Sequence, residues 1–286
     1  MSKLEVWKTT GEILFNTDLI CYGLVKSGYM TFFNYWSRKT LRSAQLDPNN
    51  GANWTETTTT SDPRSADAIY GFTVYNCISP IVFLTGPGCL MGSSVSGTTI
   101  TFYYASTNEA TRFYVFDLMA DNFAGSTYLK TWDTAGRITF NSLQPPLNII
   151  GAVQAPGQGS LDQFGRPQTT YAGGANRIRQ STPAQQVDSY VNIGLGSEEY
   201  AAYLPWSRTC STFDFLSGGG AQYGMAEGCY GYSGGITFMF GAAAGTTNSR
   251  PSTAGWSAPI SFFNLPLDRF PVALVIRTSD LIFPYN

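Results

Sequence analysis

Apolar and polar side chains alternate with a period of two along much of this chain, and a helical period is almost absent. Alternation is plainest in Thr99-Ile100-Thr101-Phe102-Tyr103-Tyr104, where neighbouring side chains take opposite faces of a strand. Arg112-Phe113-Tyr114-Val115-Phe116 is more continuously apolar, as a central strand covered on both faces would be. Gly97 ahead of Thr98-Thr99, and Asn108-Glu109 ahead of Ala110-Thr111, bracket a hairpin. Similar short runs rich in Ile, Val, Phe, Tyr and Thr fall at 4–7, 12–16, 21–26, 69–76, 81–84, 128–132, 137–141 and 147–153. Others fall at 190–193, 201–204, 235–240, 260–263 and 272–277. Strands this short and numerous predict an all-β fold: short antiparallel strands in β-sandwich or jelly-roll-like domains, with hairpin repeat units and long loops.

The same pattern suggests four parts. Residues 1–46 read as an N-terminal hairpin attachment segment, and residues 66–150 as a β domain, with an exposed loop at 47–65 between them. Gly, Gln, Pro and Ala dominate 151–189, which reads as a linker or long excursion with a structured turn at Asp162-Gln163-Phe164-Gly165. Residues 190–286 read as a C-terminal β domain.

Composition narrows the chemistry. Charged residues make up 13% of the 286, about half of the roughly 25% usual in soluble proteins. A formal charge of -2 gives no electrostatic footprint for nucleic acid or an anionic membrane. There is no histidine, which removes the commonest general base and metal ligand. Five cysteines (Cys21, Cys77, Cys89, Cys210, Cys229) show no C-x-x-C spacing, so a zinc site is not expected. They read as buried free thiols, with Cys77–Cys89 or Cys210–Cys229 bridges as the alternative. The start of the chain lacks an apolar signal core, and no uncharged apolar run approaches about 18 residues; a soluble protein made in a cytosol is expected.

One constellation stands out, an internal repeat. Residues 4–17 (LEVWKTTGEILFNT) and 129–142 (LKTWDTAGRITFNS) share Leu, Trp, Thr, Gly, Ile, Phe and Asn at matching positions. The physics is a hairpin: a strand ends at the Trp, a Thr-x-Gly turn follows, and Ile-x-Phe sends two apolar side chains to one face of the return strand. Gly11 and Gly136 supply the turn position that disfavours a Cβ.

Hairpins of this form resemble those in tail-tip, tail-fibre and receptor-binding proteins of long-tailed bacteriophages. Trp7 to Thr17 and Trp132 to Ser142 fill the pattern, with Asn16 and Asn141 where that family often has Asp. Phe116-Asp117-Leu118, ahead of the second copy, also looks similar. The resemblance covers the two hairpins and their flanking strands; elsewhere the chain shares only composition with the family. It implies a virion structural protein of a tail tip or fibre, assembled in the host cytoplasm, that is not an enzyme and needs no cofactor or metal. The implied partners are further copies, most often in a trimer, other tail or baseplate proteins, and a bacterial surface receptor such as a glycan or pilus. Neither nucleic acid nor membrane insertion is implied.

Candidate contact residues come from two stretches. Tyr200, Tyr203, Pro205 and Trp206 follow Glu198-Glu199, joining aromatic faces to acidic acceptors as glycan sites often do. Tyr223, Tyr230 and Tyr232 lie in a Gly-rich stretch, Ser217 to Gly245, with the composition of a receptor-reading loop tip. The rival expectations are a polysaccharide depolymerase working through Glu198, Glu199, Asp214 or Glu227, and a scaffolding baseplate part without receptor contact. Arg166, Arg177, Arg179 and Arg208 are candidates for phosphate or sulfate groups, although solvated loop charge fits them better. Asp117, Asp121 and Asn122 do not match a calcium loop.

Overall fold

The alternation folds as strands. The computed structural model describes residues 5–16, 19–37, 39–41, 47, 49–56, 66–120, 129–180, 186–214, 221–245, 247–248 and 261–285. The first strands are β1 (Glu5–Trp7), β2 (Ile13–Asn16), β3 (Tyr22–Tyr29), β4 (Thr31–Ser37), β5 (Lys39–Leu41), β6 (Trp54–Glu56) and β7 (Ala66–Val74). Next come β8 (Ile81–Thr85), β9 (Cys89–Ser96), β10 (Thr99–Ala105), β11 (Arg112–Leu118), β12 (Lys130–Trp132), β13 (Ile138–Asn141) and β14 (Gly151–Gln154). The last are β15 (Ala175–Gln180), β16 (Gln186–Tyr203), β17 (Thr209–Asp214), β18 (Ala221–Ala242), β19 (Thr247–Asn248), β20 (Phe262–Phe263) and β21 (Val272–Arg277). A 3-10 turn at Gly51–Asn53, capped by the Asn50 side chain, is the one helical element among the described residues.

Ten strands share one sheet whose main path runs β14-β21-β16-β18-β8-β11-β3. A four-stranded sheet, β4-β7-β10-β9, packs on part of it. The expected central strand is β11: it lies between β3 and β8, and its side chains from Phe113 to Asp117 are all buried. Phe113 and Val115 face the four-stranded sheet, where Phe113 stacks on Phe72 with ring centroids 3.6 Å apart. Tyr114 and Phe116 face the opposite side, against Leu24, Phe83 and Ile276. Each such buried Phe contributes about 1.5–3 kcal/mol. A third cluster, with Tyr171, Phe238 and Phe240 at its centre, lies along β16 and β18.

Four expectations need correction. Strands from 66–150 and 190–286 alternate in one sheet, with β16 and β18 beside β8, so these segments are not separate domains. The 151–189 stretch is not a linker as far as it is described: β14 and β15 join the large sheet, and Ala155 and Tyr171 are core residues. Gly97 does turn β9 into β10, but Ser106 to Ala110 carry the chain from one sheet to the other rather than closing a hairpin. Finally, the described part of the Gly-rich stretch is mostly β18, a 22-residue strand running through the large sheet. Residues 57–65, Asp121, Asn122, 181–185 and 217–220 lie outside the described residues.

The two repeat hairpins have one geometry. Glu5, Val6 and Trp7 pair with Asn16, Phe15 and Ile13; Lys130, Thr131 and Trp132 pair with Asn141, Phe140 and Ile138. Both carry a bulge just before the Trp, and Gly11 and Gly136 have φ of 86° and 78°. In both, the glycine N–H returns to the carbonyl three residues back, on Lys8 and Asp133. Asn16 and Asn141 are buried and accept backbone N–H groups from Leu19 and Leu143, which shapes each exit turn. The turn charges are exchanged: Lys8 pairs with Glu12 where Asp133 pairs with Arg137. The turn at Asp162-Gln163-Phe164-Gly165 is a third example, closed by Asp162 N–H to the Arg166 carbonyl (2.7 Å) and by an Arg166–Asp162 ion pair.

These turns make a pH prediction. The Arg137 N–H and guanidinium hold the Asp133 carboxyl below its ordinary range. At Asp162 burial pulls upward, but the N–H groups of Arg166 and Phe164 and the Arg166 side chain outweigh it, and the carboxyl is again depressed. A depressed carboxyl adds stability above its unfolded pKa of about 4, and that stability goes as pH falls through the folded value. The melting midpoint should therefore drop below about pH 4, and Asp133→Asn with Asp162→Asn should flatten that slope. An unchanged slope in the double variant refutes the assignment.

Candidate functional site

β16 runs from Tyr200 to Tyr203 beside β21 and ends at Leu204-Pro205, where proline removes a ladder donor. Tyr200 and Ala202 face one cluster, while Ala201 and Tyr203 face another, with Tyr203 against Phe83 at 5.7 Å. Beyond the strand, Trp206 is 44% exposed. Beneath it is a cavity of about 250 Å³ whose walls include Val82, Leu84, Leu90, Tyr104, Tyr203 and Trp206. Elements far apart in sequence build it: β8, the start of β9, β10, the end of β16, and the Glu227-Gly228-Cys229 step of β18.

Glu227 borders this cavity, yet its carboxylate is occupied. Arg208 donates to Oε1 through Nη2 (2.7 Å) and to Oε2 through Nε (2.9 Å) and its backbone N–H (3.1 Å). The Tyr171 hydroxyl donates to Oε1 at 2.7 Å. Both members of the ion pair are buried. Burial and the neighbouring carboxylate push the Tyr171 phenol well up, so it stays a donor. This network orders the cavity wall and leaves Glu227 no lone pair aimed at a substrate.

The sequence candidates separate by burial. Trp206 and Tyr203 are brought together at the cavity, and Tyr232 is half-buried. Tyr200, Tyr223 and Tyr230 are interior residues: Tyr223 is fully buried with its hydroxyl accepting the Val187 N–H, and the other two pack in the cores. They offer a receptor no surface on this chain. Their alternation on long strands put them inward, which composition alone did not show. Tyr104, a nearly buried residue of the cavity wall, is not singled out by the sequence because it reads as an ordinary inward position of β10.

The remaining candidates are engaged in structure. Glu198 pairs with Arg277 and Glu199 with Arg112. Burial raises the Glu199 carboxyl, but hydrogen bonds from Arg112 and Thr278 outweigh it and leave the group depressed, opposite to what a general acid needs. Arg166, Arg177 and Arg208 pair with Asp162, Asp188 and Glu227. The side chains of Arg179 and Asp214 lie outside the described residues. Asp117 accepts the Ile78 and Ser79 N–H groups at 2.7 Å each, as a turn brace. All five cysteines are free, four of them buried. Among the described residues no three His, Cys, Asp or Glu side chains cluster as metal ligands. Comparison with known proteins finds no matching family model, no similar curated protein and no similar solved structure.

Proposed function

We propose that this chain is a structural part of a phage tail tip or fibre, which joins neighbouring copies or tail proteins and helps bind a bacterial surface receptor. The observation that supports this reading most is the duplicated hairpin. Its two copies have the same register, bulge and turn, and each leaves an indole half exposed, Trp7 at 54% and Trp132 at 51%. Repeated exposed indoles at the ends of paired strands suit attachment, since Trp supplies large contact area at low entropy cost. Glu198, Glu199 and Glu227 are each held by an arginine, which disfavours the depolymerase reading.

Immunogold electron microscopy of virions with an antibody to this chain tests the proposal. Label at the tail is the expected result, and unlabelled particles overturn it. Trp7→Ala with Trp132→Ala should reduce incorporation into particles without lowering the melting midpoint of the isolated chain. Trp206→Ala should leave incorporation intact and weaken adsorption to host cells. Normal adsorption by Trp206→Ala particles would favour a scaffolding role without receptor contact.

A further inference from the structure

The cavity beneath Trp206 contains a hydrogen-bond donor that the fold leaves unused. Tyr104 is 4% exposed, and its ring stacks on Phe72. Its hydroxyl bonds to no described residue and is not among the fully enclosed unpartnered polar atoms, so it opens onto the cavity that the residue lines. A hydroxyl at a cavity wall donates to whatever fills the cavity, water or ligand, and a ligand that displaces the water must replace its hydrogen bond. Burial also pushes this phenol up, which keeps it protonated and able to donate.

The surroundings of that donor restrict what it can meet. Val82, Leu84 and Leu90 make much of the wall apolar. The bordering carboxylate is closed off by Arg208 and Tyr171, so the lining carries no free charge. An anionic or cationic ligand would lose its hydration there without gaining a counter-charge. A pure hydrocarbon would leave the Tyr104 hydroxyl unpaired. An unsubstituted hexose has neither a carbonyl to accept from Tyr104 nor a methyl group for the apolar part of the wall. The space of about 250 Å³ suits one substituted sugar ring, being smaller than the pockets that take drug-sized molecules.

We propose that this cavity binds a neutral N-acetylated amino sugar. The acetamido carbonyl accepts from the Tyr104 hydroxyl, its methyl group lies against Val82 and Leu84, and the C–H face of the ring lies on Trp206. This deepens the adhesive reading by naming the chemical class of the receptor, while binding in solution is measurable whether or not that reading holds.

The test titrates the methyl glycosides of N-acetylglucosamine, N-acetylgalactosamine and glucose into the full chain, followed by saturation-transfer NMR. At least one N-acetyl glycoside should bind saturably and more tightly than methyl glucoside. Tyr104→Phe, which keeps the ring on Phe72, should weaken that binding about tenfold, the equivalent of one hydrogen bond. Its melting midpoint should stay within about 2 °C of the parent. Leu90→Trp enlarges an exposed residue at the mouth and should abolish binding without touching the core. No saturable binding, equal binding of methyl glucoside, or affinity unchanged in both variants would overturn the proposal. If no sugar binds but Trp206→Ala particles still adsorb poorly, the adhesive reading stands and a protein receptor replaces the sugar.

Discussion

An Arg208→Met variant is expected to lose about 3–5 kcal/mol of folding stability, because it leaves a buried carboxylate without its cation. The Arg208 and Glu227 side chains are 1% and 0% exposed. Their pairing is fully supported: the guanidinium spans both carboxylate oxygens, the Arg208 N–H and Tyr171 hydroxyl add two more hydrogen bonds, and Nη1 reaches the Pro266 carbonyl. The guanidinium also lies 5.1 Å from the Phe270 ring centroid and 5.6 Å from that of Phe240. Methionine keeps the length of the stem and removes only the charge and the fork. Lysine should not rescue it, since a point charge cannot span two oxygens in one plane. Arg208→Met with Glu227→Leu should recover much of the loss, with a remainder of about 1–3 kcal/mol for the orphaned Tyr171 hydroxyl. Urea denaturation of the three variants measures this. A single-variant loss below about 1 kcal/mol would mean that the pair is solvated and behaves like a surface salt bridge.

How legible such features were in the sequence depends on the distance over which they are determined. β11 was readable because four successive apolar residues, Phe113 to Phe116, need neighbours on both faces. The repeat hairpins were readable because bulge, turn glycine and return strand lie within about 14 residues of one another. The pairing of β16 and β18 with β8 was not readable, since β8 lies more than a hundred positions earlier and nothing local names its neighbour. The 151–180 stretch looked like a linker because its Gly, Pro and Gln mask the few residues that enter the core, Ala155 and Tyr171 among them. The cavity is the extreme case. Trp206 was visible as an aromatic after a strand, but Leu84 and Tyr104 reach it only through the sheet order. That the Tyr104 hydroxyl opens onto this cavity is a property of three dimensions alone.

The Gly-rich stretch carries the second large expectation, that Gly231→Ala prevents the chain from accumulating as folded protein. A Cβ at Gly231 would lie 1.9 Å from the Tyr200 carbonyl oxygen, 2.2 Å from its carbon and 2.7 Å from the Ala201 Cα. Every one of these atoms is backbone, so no rotamer change relieves the clash; β16 must move. It has no room to do so. Gly231 pairs with Thr85 of β8, its carbonyl accepts the Gly86 N–H at 3.1 Å, and Ala202 of β16 pairs with Leu84 of the same strand. Three strands converge at one residue without a side chain, and separating them would open the junction of all three hydrophobic clusters. A loss above about 4 kcal/mol is expected, in the range reserved for broken cores. Gly194, on the partner strand β16, makes the control: a Cβ there meets nothing within 4 Å. Gly194→Ala should stay within about 0.5 kcal/mol of the parent. Soluble yield and urea midpoints of Gly231→Ala, set against the Gly194→Ala control, therefore separate two explanations of the β18 glycines. If they were the hinges of an adaptable loop tip, both alanines would fold. If β18 is glycine-rich so that neighbouring backbones can close on it, only Gly194→Ala will.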